Sequence, residues 1–334
     1  MRVLIIGGTG LISTGIVEEL LQRGDSVTLF NRGQRAHALP NNINVLIGDR
    51  NRPAEFEERF SRERFDVVID MICFTPQQAE ATIRAFAGRC AQVQFCSTVC
   101  TYGSEISETA LVDERFPQRP LIPYAEDKFA CEQLFRRAHE QGKFNATIVR
   151  PSNTYGPGAS LIDQMEFDSA VWDRVAHGLP VLCANDGLGL WQSTHRRDVG
   201  RFFAYACGNP ATFGEDFNVV HDRTFTWRDY YREAAAALGA SAQLYFVPAA
   251  WIIAKNPKRF AFLAEISRFH GAYTNSKAKR AVPEFAPSVA FVDGARETFA
   301  DTRARGAWRS HVADTEYNSL IAAAEAAGFE RVTA

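Results

Sequence analysis

Apolar positions along the chain fall into two alternating rhythms. Val3–Ile6, Ser26–Asn31, Asn44–Ile47, Asp66–Ile69, Val93–Ser97 and Ala146–Arg150 are short β-rich runs, several apolar on consecutive residues. Such runs suit strands buried on both faces. Between several of them lie Leu11–Arg23, Pro53–Phe60, Pro76–Phe86 and Tyr124–Gln141, with apolar residues at helical spacing. Strands alternating with helices require right-handed crossovers, which predicts an α/β fold with a doubly wound parallel sheet. After Pro157 the rhythm loosens. Residues 163–181 read as one helix followed by a loop, Phe217–Val220 as one more strand, and Thr226 as the cap of a helix over Trp227–Gly239. Two amphipathic stretches follow near Val289–Phe299 and Ser319–Ala327. With no linker or internal repeat, the second half reads as excursions from the sheet that build a smaller, discontinuous C-terminal domain.

Composition narrows the class. The 334 residues include 37 Lys+Arg and 39 Asp+Glu, a formal charge of −2 that offers no basic field to nucleic acid. No segment nears the ~18 uninterrupted apolar residues of a membrane span. The opening Met1–Ile6 run is too short for a signal peptide and leads straight into glycines. Seven cysteines, an odd number with no CxxC pair, point to a reduced, cytoplasmic chain. The seven histidines are dispersed and form no HExxH, so no metal is expected.

Candidate chemistry begins at the end of the first strand, with Gly7-Gly8-Thr9-Gly10-Leu11-Ile12-Ser13. A strand, a glycine turn and a helix start form a phosphate cradle, in which backbone N–H groups and the positive helix end face a pyrophosphate. Gly7 permits the turn, Gly10 lets the phosphates approach, and Leu11 and Ile12 open the helix. Ser13 stands where a third glycine is expected. Residues 1–157 with about 196–222 are accordingly read as a Rossmann-type dinucleotide-binding domain, and 158–195 with 223–334 as a substrate-binding domain. The second strand ends Phe30-Asn31-Arg32-Gly33. No carboxylate there repels a 2′-phosphate and Arg32 can pair with one, so Asn31 and Arg32 favour NADP(H) among the NAD(P) cofactors. Asp49, after the third strand, is placed to bond the adenine amino group or to cap the next helix.

Tyr124 and Lys128 share a helix face at i, i+4. A phenol of pKa ~10 is a poor base at neutral pH, but a fixed ammonium and an oxidised nicotinamide both favour phenolate. Tyr124 can then exchange a proton with a carbinol or ketone as hydride moves, while Lys128 also bonds the nicotinamide ribose. Ser97 and Thr98, ending the fifth strand, both offer a hydroxyl to polarise the substrate oxygen.

In order along the chain stand Gly7-Gly8-Thr9-Gly10, Ser97-Thr98 before Tyr102-Gly103, Tyr124 with Lys128, Arg150-Pro151-Ser152-Asn153-Thr154-Tyr155-Gly156-Pro157, and Thr194-His195-Arg196-Arg197-Asp198-Val199. Through these five signatures the chain resembles the extended short-chain dehydrogenase/reductases, often called NAD-dependent epimerase/dehydratases, over about residues 1–240. The resemblance implies a catalytic trio of Thr98, Tyr124 and Lys128; the hydroxyl four residues before Tyr102 selects Thr98 over Ser97. It also implies substrate contact at Asn153, a return segment through His195 and Asp198, and a homodimer built on Pro76–Phe86 and Tyr124–Gln141.

Three departures from that family shape the reading. Many nucleotide-sugar members carry an Arg-Asp pair whose arginine holds the substrate diphosphate; here Trp191-Gln192 stand instead. Trp191 offers a ring for stacking on substrate, and Arg196, Arg197 and Arg259 are the cations left to hold a phosphate. After the fourth strand, Cys73 and Phe74 replace a small-residue stretch and are expected to narrow the substrate pocket beside the nicotinamide. Val99-Cys100 occupy the place of a dehydratase Asp-Glu pair, which disfavours elimination. The reading is an NAD(P)-dependent epimerase or ketoreductase acting on a secondary carbinol or ketone of a sugar-like small molecule, nucleotide sugars included. The alternative, from another class, is a non-catalytic NADP-binding regulator or RNA-binding member of the same fold.

Overall fold

The computed structural model describes residues 1–34, 43–104 and 111–334. Its central sheet holds β1 (Arg2–Ile6), β2 (Ser26–Asn31), β3 (Asn44–Ile47), β4 (Phe65–Asp70), β5 (Cys90–Cys96), β6 (Asn145–Pro151) and the edge strand Asp216–Val219. Their order is Asp216–Val219, β6, β5, β4, β1, β2, β3. Every pairing is parallel. Strand order therefore reverses between β1 and β4, which opens a crevice at the carboxyl ends of these strands.

Among the described residues the first six α-helices are α1 (Leu11–Gln22), α2 (Pro53–Phe60), α3 (Pro76–Phe86), α4 (Pro123–Glu140), α5 (Ser169–Ala176) and α6 (Arg196–Ala206). On one sheet face Ile16, Val17 and Leu20 of α1 pack with Val199, Phe202 and Phe203 of α6. The two helices touch backbone to backbone. A Cβ on Gly15 would lie 2.4 Å from the Arg196 carbonyl oxygen, and one on Gly200 equally close to the Gly15 carbonyl carbon. On the other face Phe56, Phe60, Phe86 and Phe135, from α2, α3 and α4, cover the sheet. Burial on both faces explains the consecutive apolar residues of β1 and β4.

A second core gathers Trp172, Trp191, Trp227, Tyr230, Tyr231, Phe291 and Tyr317 beyond β6. Here the sequence reading needs correction. The expected loop after α5 contains the strand Pro180–Ala184, which pairs with Gln243–Val247, itself paired with Arg331–Thr333. Val181 to Ala184 are all buried, so the run is a core strand. No helix among the described residues is long and apolar enough to cross a membrane.

Candidate active site

A cavity of about 590 Å³ runs along the carboxyl ends of β1, β2, β4 and β5. Gly7, Gly10, Leu11, Ile12 and Ser13 line it between β1 and α1. Gly7 and Gly8 have φ of +114° and +76°, in the region open to glycine. Gly10 differs: its φ of −88° and ψ of 175° suit any residue, and a Cβ there meets nothing nearer than Ser13 Oγ at 3.7 Å. The protein itself does not demand glycine at position 10, and a Cβ would project into the cradle. No side chain caps α1, so its first N–H groups remain available to an anion. The cradle fits the pyrophosphate of a dinucleotide.

Asn31, Arg32 and Asp49 line the opposite end of the same cavity. Asn31 Oδ1 accepts a hydrogen bond from the Gly33 N–H at 2.8 Å, which tightens the turn and leaves Arg32 exposed. Asp49 Oδ1 accepts from the Asn51 N–H at 2.9 Å. It shapes the turn before α2, whose N-cap is Arg52. Arg50, passed over in the sequence, is buried and pairs with Asp70 at 2.5 Å, joining the exit of β3 to β4.

At the other end stand Thr98, Tyr124 and Lys128, all lining the cavity. Lys128 is 2% exposed. Its Nζ donates to the Cys73 and Cys96 carbonyl oxygens at 2.8 and 2.7 Å and lies 5.9 Å from the Tyr124 ring centroid. Glu132, one turn further along α4, does not neutralise it. That carboxylate accepts from Arg150 Nε at 2.9 Å, Arg150 Nη2 at 2.6 Å, Ser97 Oγ at 2.5 Å and Gln118 Nε2 at 2.9 Å. Ser97 thus spends its hydroxyl proton inside the protein, and Thr98 keeps the hydroxyl beside the phenol. Tyr124 is 43% exposed; the burial of the rest of its ring and the Cys96 and Cys100 thiols push its pKa upward, and a hydrogen bond with Thr98 works the other way. At neutral pH Tyr124 is therefore a protonated phenol.

The same network accounts for signature residues read at first only as motif. Arg150 Nη1 also donates to the Tyr102 hydroxyl at 2.7 Å and pairs with Asp216 at 2.7 Å. Glu132 was legible in principle, since it continues the Tyr124–Lys128 spacing by one more turn.

Four of the expected groups lie outside the cavity or are engaged in other contacts. Cys73 has a fully buried side chain 3.9 Å from the Cys131 sulfur, so only its carbonyl serves the site, while Phe74 reaches the cavity. Asn153 lies in β7 (Asn153–Tyr155) and accepts from Ser193 Oγ at 3.1 Å; its neighbours Ser152 and Thr154 line the cavity in its stead. Trp191 stacks on Trp227 with centroids 4.8 Å apart and lines a separate pocket of about 40 Å³ with Cys100, Leu121, Ile122, His270 and Tyr273. The three arginines considered for phosphate are engaged elsewhere: Arg196 with Glu18, Arg197 with Glu297, and Arg259 with Glu166, Asp314 and Glu316.

His195 and Asp198 hold the fold. His195 caps α6 by accepting from the Arg197 N–H at 3.3 Å. Burial, with the charges of Arg197 and Arg196, pulls its pKa down to about 3. Asp198 accepts from the Ser288 and Val289 N–H groups at 3.2 and 3.3 Å.

Comparison with known proteins identifies the family and the fold. The model of the NAD dependent epimerase/dehydratase family matches residues 3–219. The 2′-dehydrokanamycin reductase of Streptomyces kanamyceticus is 30% identical over 285 residues, 85% of this chain and 80% of its own. A chloroplast stem-loop binding protein of 41 kDa from Arabidopsis thaliana is 25% identical, over 96% of this chain and 84% of its own. Among solved structures, the NAD complex of Thermus thermophilus UDP-glucose 4-epimerase shares the fold with a TM-score of 0.70 and 22% identity, covering 91% of this chain and 99% of that one. With its sheet order, glycine cradle and matching sequence model, the chain belongs to the NAD-dependent epimerase/dehydratase family of extended short-chain dehydrogenase/reductase enzymes.

Proposed function

We propose that this enzyme is an NADPH-dependent ketoreductase acting on a ketone of a sugar-like molecule that carries no nucleotide diphosphate. The observation that carries the reading is the division of one cavity between a Thr98–Tyr124–Lys128 cluster and the exposed Arg32. Among the described residues Arg32 has no ion pair, so its guanidinium is free for a 2′-phosphate. Gly7, Gly10, Leu11 and Ile12 would hold the pyrophosphate, Asp49 the adenine, and Lys128 the nicotinamide ribose. Bound NADPH supplies the hydride. The Thr98 hydroxyl donates a hydrogen bond to the ketone oxygen, and Tyr124 gives its phenolic proton to that oxygen as it becomes a hydroxyl. An ordinary phenol pKa of ~10 already keeps this proton in place at neutral pH, and the buried Lys128 charge stabilises the phenolate left behind.

Trp191 in place of a phosphate-holding arginine and the engagement of Arg196, Arg197 and Arg259 in ion pairs support a substrate without a diphosphate. Likeness to the 2′-dehydrokanamycin reductase supports reduction over epimerisation. The stem-loop binding relative favours a second reading, RNA binding without turnover. The complete Tyr124–Lys128 pair and the charge of −2 weigh against it. We also propose a homodimer through α3 and α4; light scattering that returned a monomer mass would remove that part.

The test is NADPH consumption with keto-glycosides and, separately, with 4-keto nucleotide sugars. Turnover confined to the keto-glycosides is expected. Turnover of the nucleotide sugars alone would overturn the substrate class, and RNA binding with no turnover of either would favour the second reading.

A further inference from the structure

On the far side of the second core, α5 and its C-cap carry Asp173 and His177 at i, i+4 and so on one face. His311, 138 residues beyond Asp173, enters from the turn His311–Ala313. A ligand-capable atom of each lies within 4.8 Å of those of the other two, and none of the three lines the cofactor cavity. Residues so far apart in the chain escape any search for metal-ligand spacing.

Hydrogen bonds set the tautomer of both rings. His311 Nδ1 is 2.7 Å from Asp173 Oδ2, and His177 Nδ1 is 2.8 Å from the Asp173 carbonyl oxygen. Each of these oxygens can only accept, so each neutral imidazole carries its proton on Nδ1 and leaves the Nε2 lone pair free. Asp173 is itself fixed, accepting from Trp308 Nε1 and from the His311 N–H, both at 2.8 Å. The ring centroids lie 5.0 Å apart. His177 is exposed and can turn about its side-chain bonds, which lets its nitrogen reach the roughly 3.3 Å separation that two Zn–N bonds of about 2 Å set at a tetrahedral ion.

We propose that His177 and His311 ligate a borderline divalent cation, of which Zn²⁺ is the type, through their Nε2 atoms, with the Asp173 carboxylate as the group that orients His311. A carboxylate behind a ligating imidazole fixes the ring and raises its basicity. Nitrogen donors select zinc, nickel or copper over magnesium and calcium. Solvent completes the coordination. The ion ties α5 to the turn that precedes the helix Thr315–Ala326 and stands apart from the chemistry of the cavity.

Calorimetric titration of Zn²⁺ into the untagged protein tests this, with the Co²⁺ absorption spectrum as a second readout. One equivalent is expected to bind and to raise the thermal midpoint. His177→Ala and His311→Ala are each expected to weaken binding at least about tenfold, and Asp173→Asn, which keeps an acceptor for His311, to weaken it less. His177 is exposed, so its variant should keep the parent circular dichroism even if His311→Ala fails to fold. Absence of saturable Zn²⁺ binding overturns the site, as does a His177→Ala protein that binds one equivalent as tightly as the parent. Equal affinity for Mg²⁺ overturns the nitrogen ligation.

Discussion

The two ends of the cofactor cavity are built on opposite principles. At the nicotinamide end every supporting group is buried and bonded: Lys128 to two carbonyls, Glu132 to Arg150 and Ser97, Arg150 to Tyr102. At the adenosine end Arg32 projects from a two-residue turn, exposed and without an ion pair among the described residues. Proton transfer needs groups held to fractions of an ångström, which a saturated buried network provides. Choice of cofactor needs only a charge within reach of a phosphate, which a loop side chain provides. The contrast predicts that changes at one end affect rate and folding, and at the other only affinity.

Tyr124→Phe should show the largest effect, a loss of about 10²–10⁴ in turnover with NADPH affinity nearly unchanged. Steady-state kinetics with a fluorescence titration checks it, and retained turnover would remove Tyr124 from the chemistry. Next comes Glu132→Ala. It strips Arg150 of its buried bidentate carboxylate and leaves Asp216 as its ion pair, at a cost of about 3 kcal/mol measured by denaturant unfolding. Arg32→Ala is expected to weaken NADPH binding about tenfold or more while leaving NADH binding and stability alone. An equal loss for both cofactors would erase the contrast between the two ends.

Acid adds a further effect, through the buried histidine that caps α6. His195 titrates near 3 when folded against an ordinary value of 6.5. The unfolded chain therefore binds the extra proton between those values, and stability falls as pH drops from about 6.5 towards 3. His195→Asn keeps a capping side chain and should flatten that part of the stability curve; an unchanged slope would place the acid sensitivity elsewhere.

Legibility in the sequence follows the same physical divide. Parallel strands buried on both faces write themselves as continuous apolar runs, and β2, β3, α2 and α3 match the expected residues end to end. The glycine cradle and the Tyr124–Lys128 pair were legible because their geometry is local, within one turn or one helix. What failed depends on long-range contacts. Asn153 and Trp191 carry family signals, but strand alternation turns the first away and Trp227 covers one face of the second. Cys73 contributes a carbonyl, which no side-chain reading detects. The sheet through Pro180–Ala184 pairs segments some sixty residues apart, and His311 meets Asp173 across a still longer gap.

The central claim is a reductase whose NADPH exchanges with solution, as opposed to an epimerase that keeps NAD⁺ through each turnover. Freshly purified protein should be denatured, its released small molecules identified by mass spectrometry, and the intact protein titrated with NADPH and NADH. The account predicts no stoichiometric dinucleotide released and NADPH bound at least about tenfold more tightly than NADH, in keeping with one charge-assisted phosphate contact. One equivalent of NAD⁺ retained through purification, with no preference for NADPH, would contradict it.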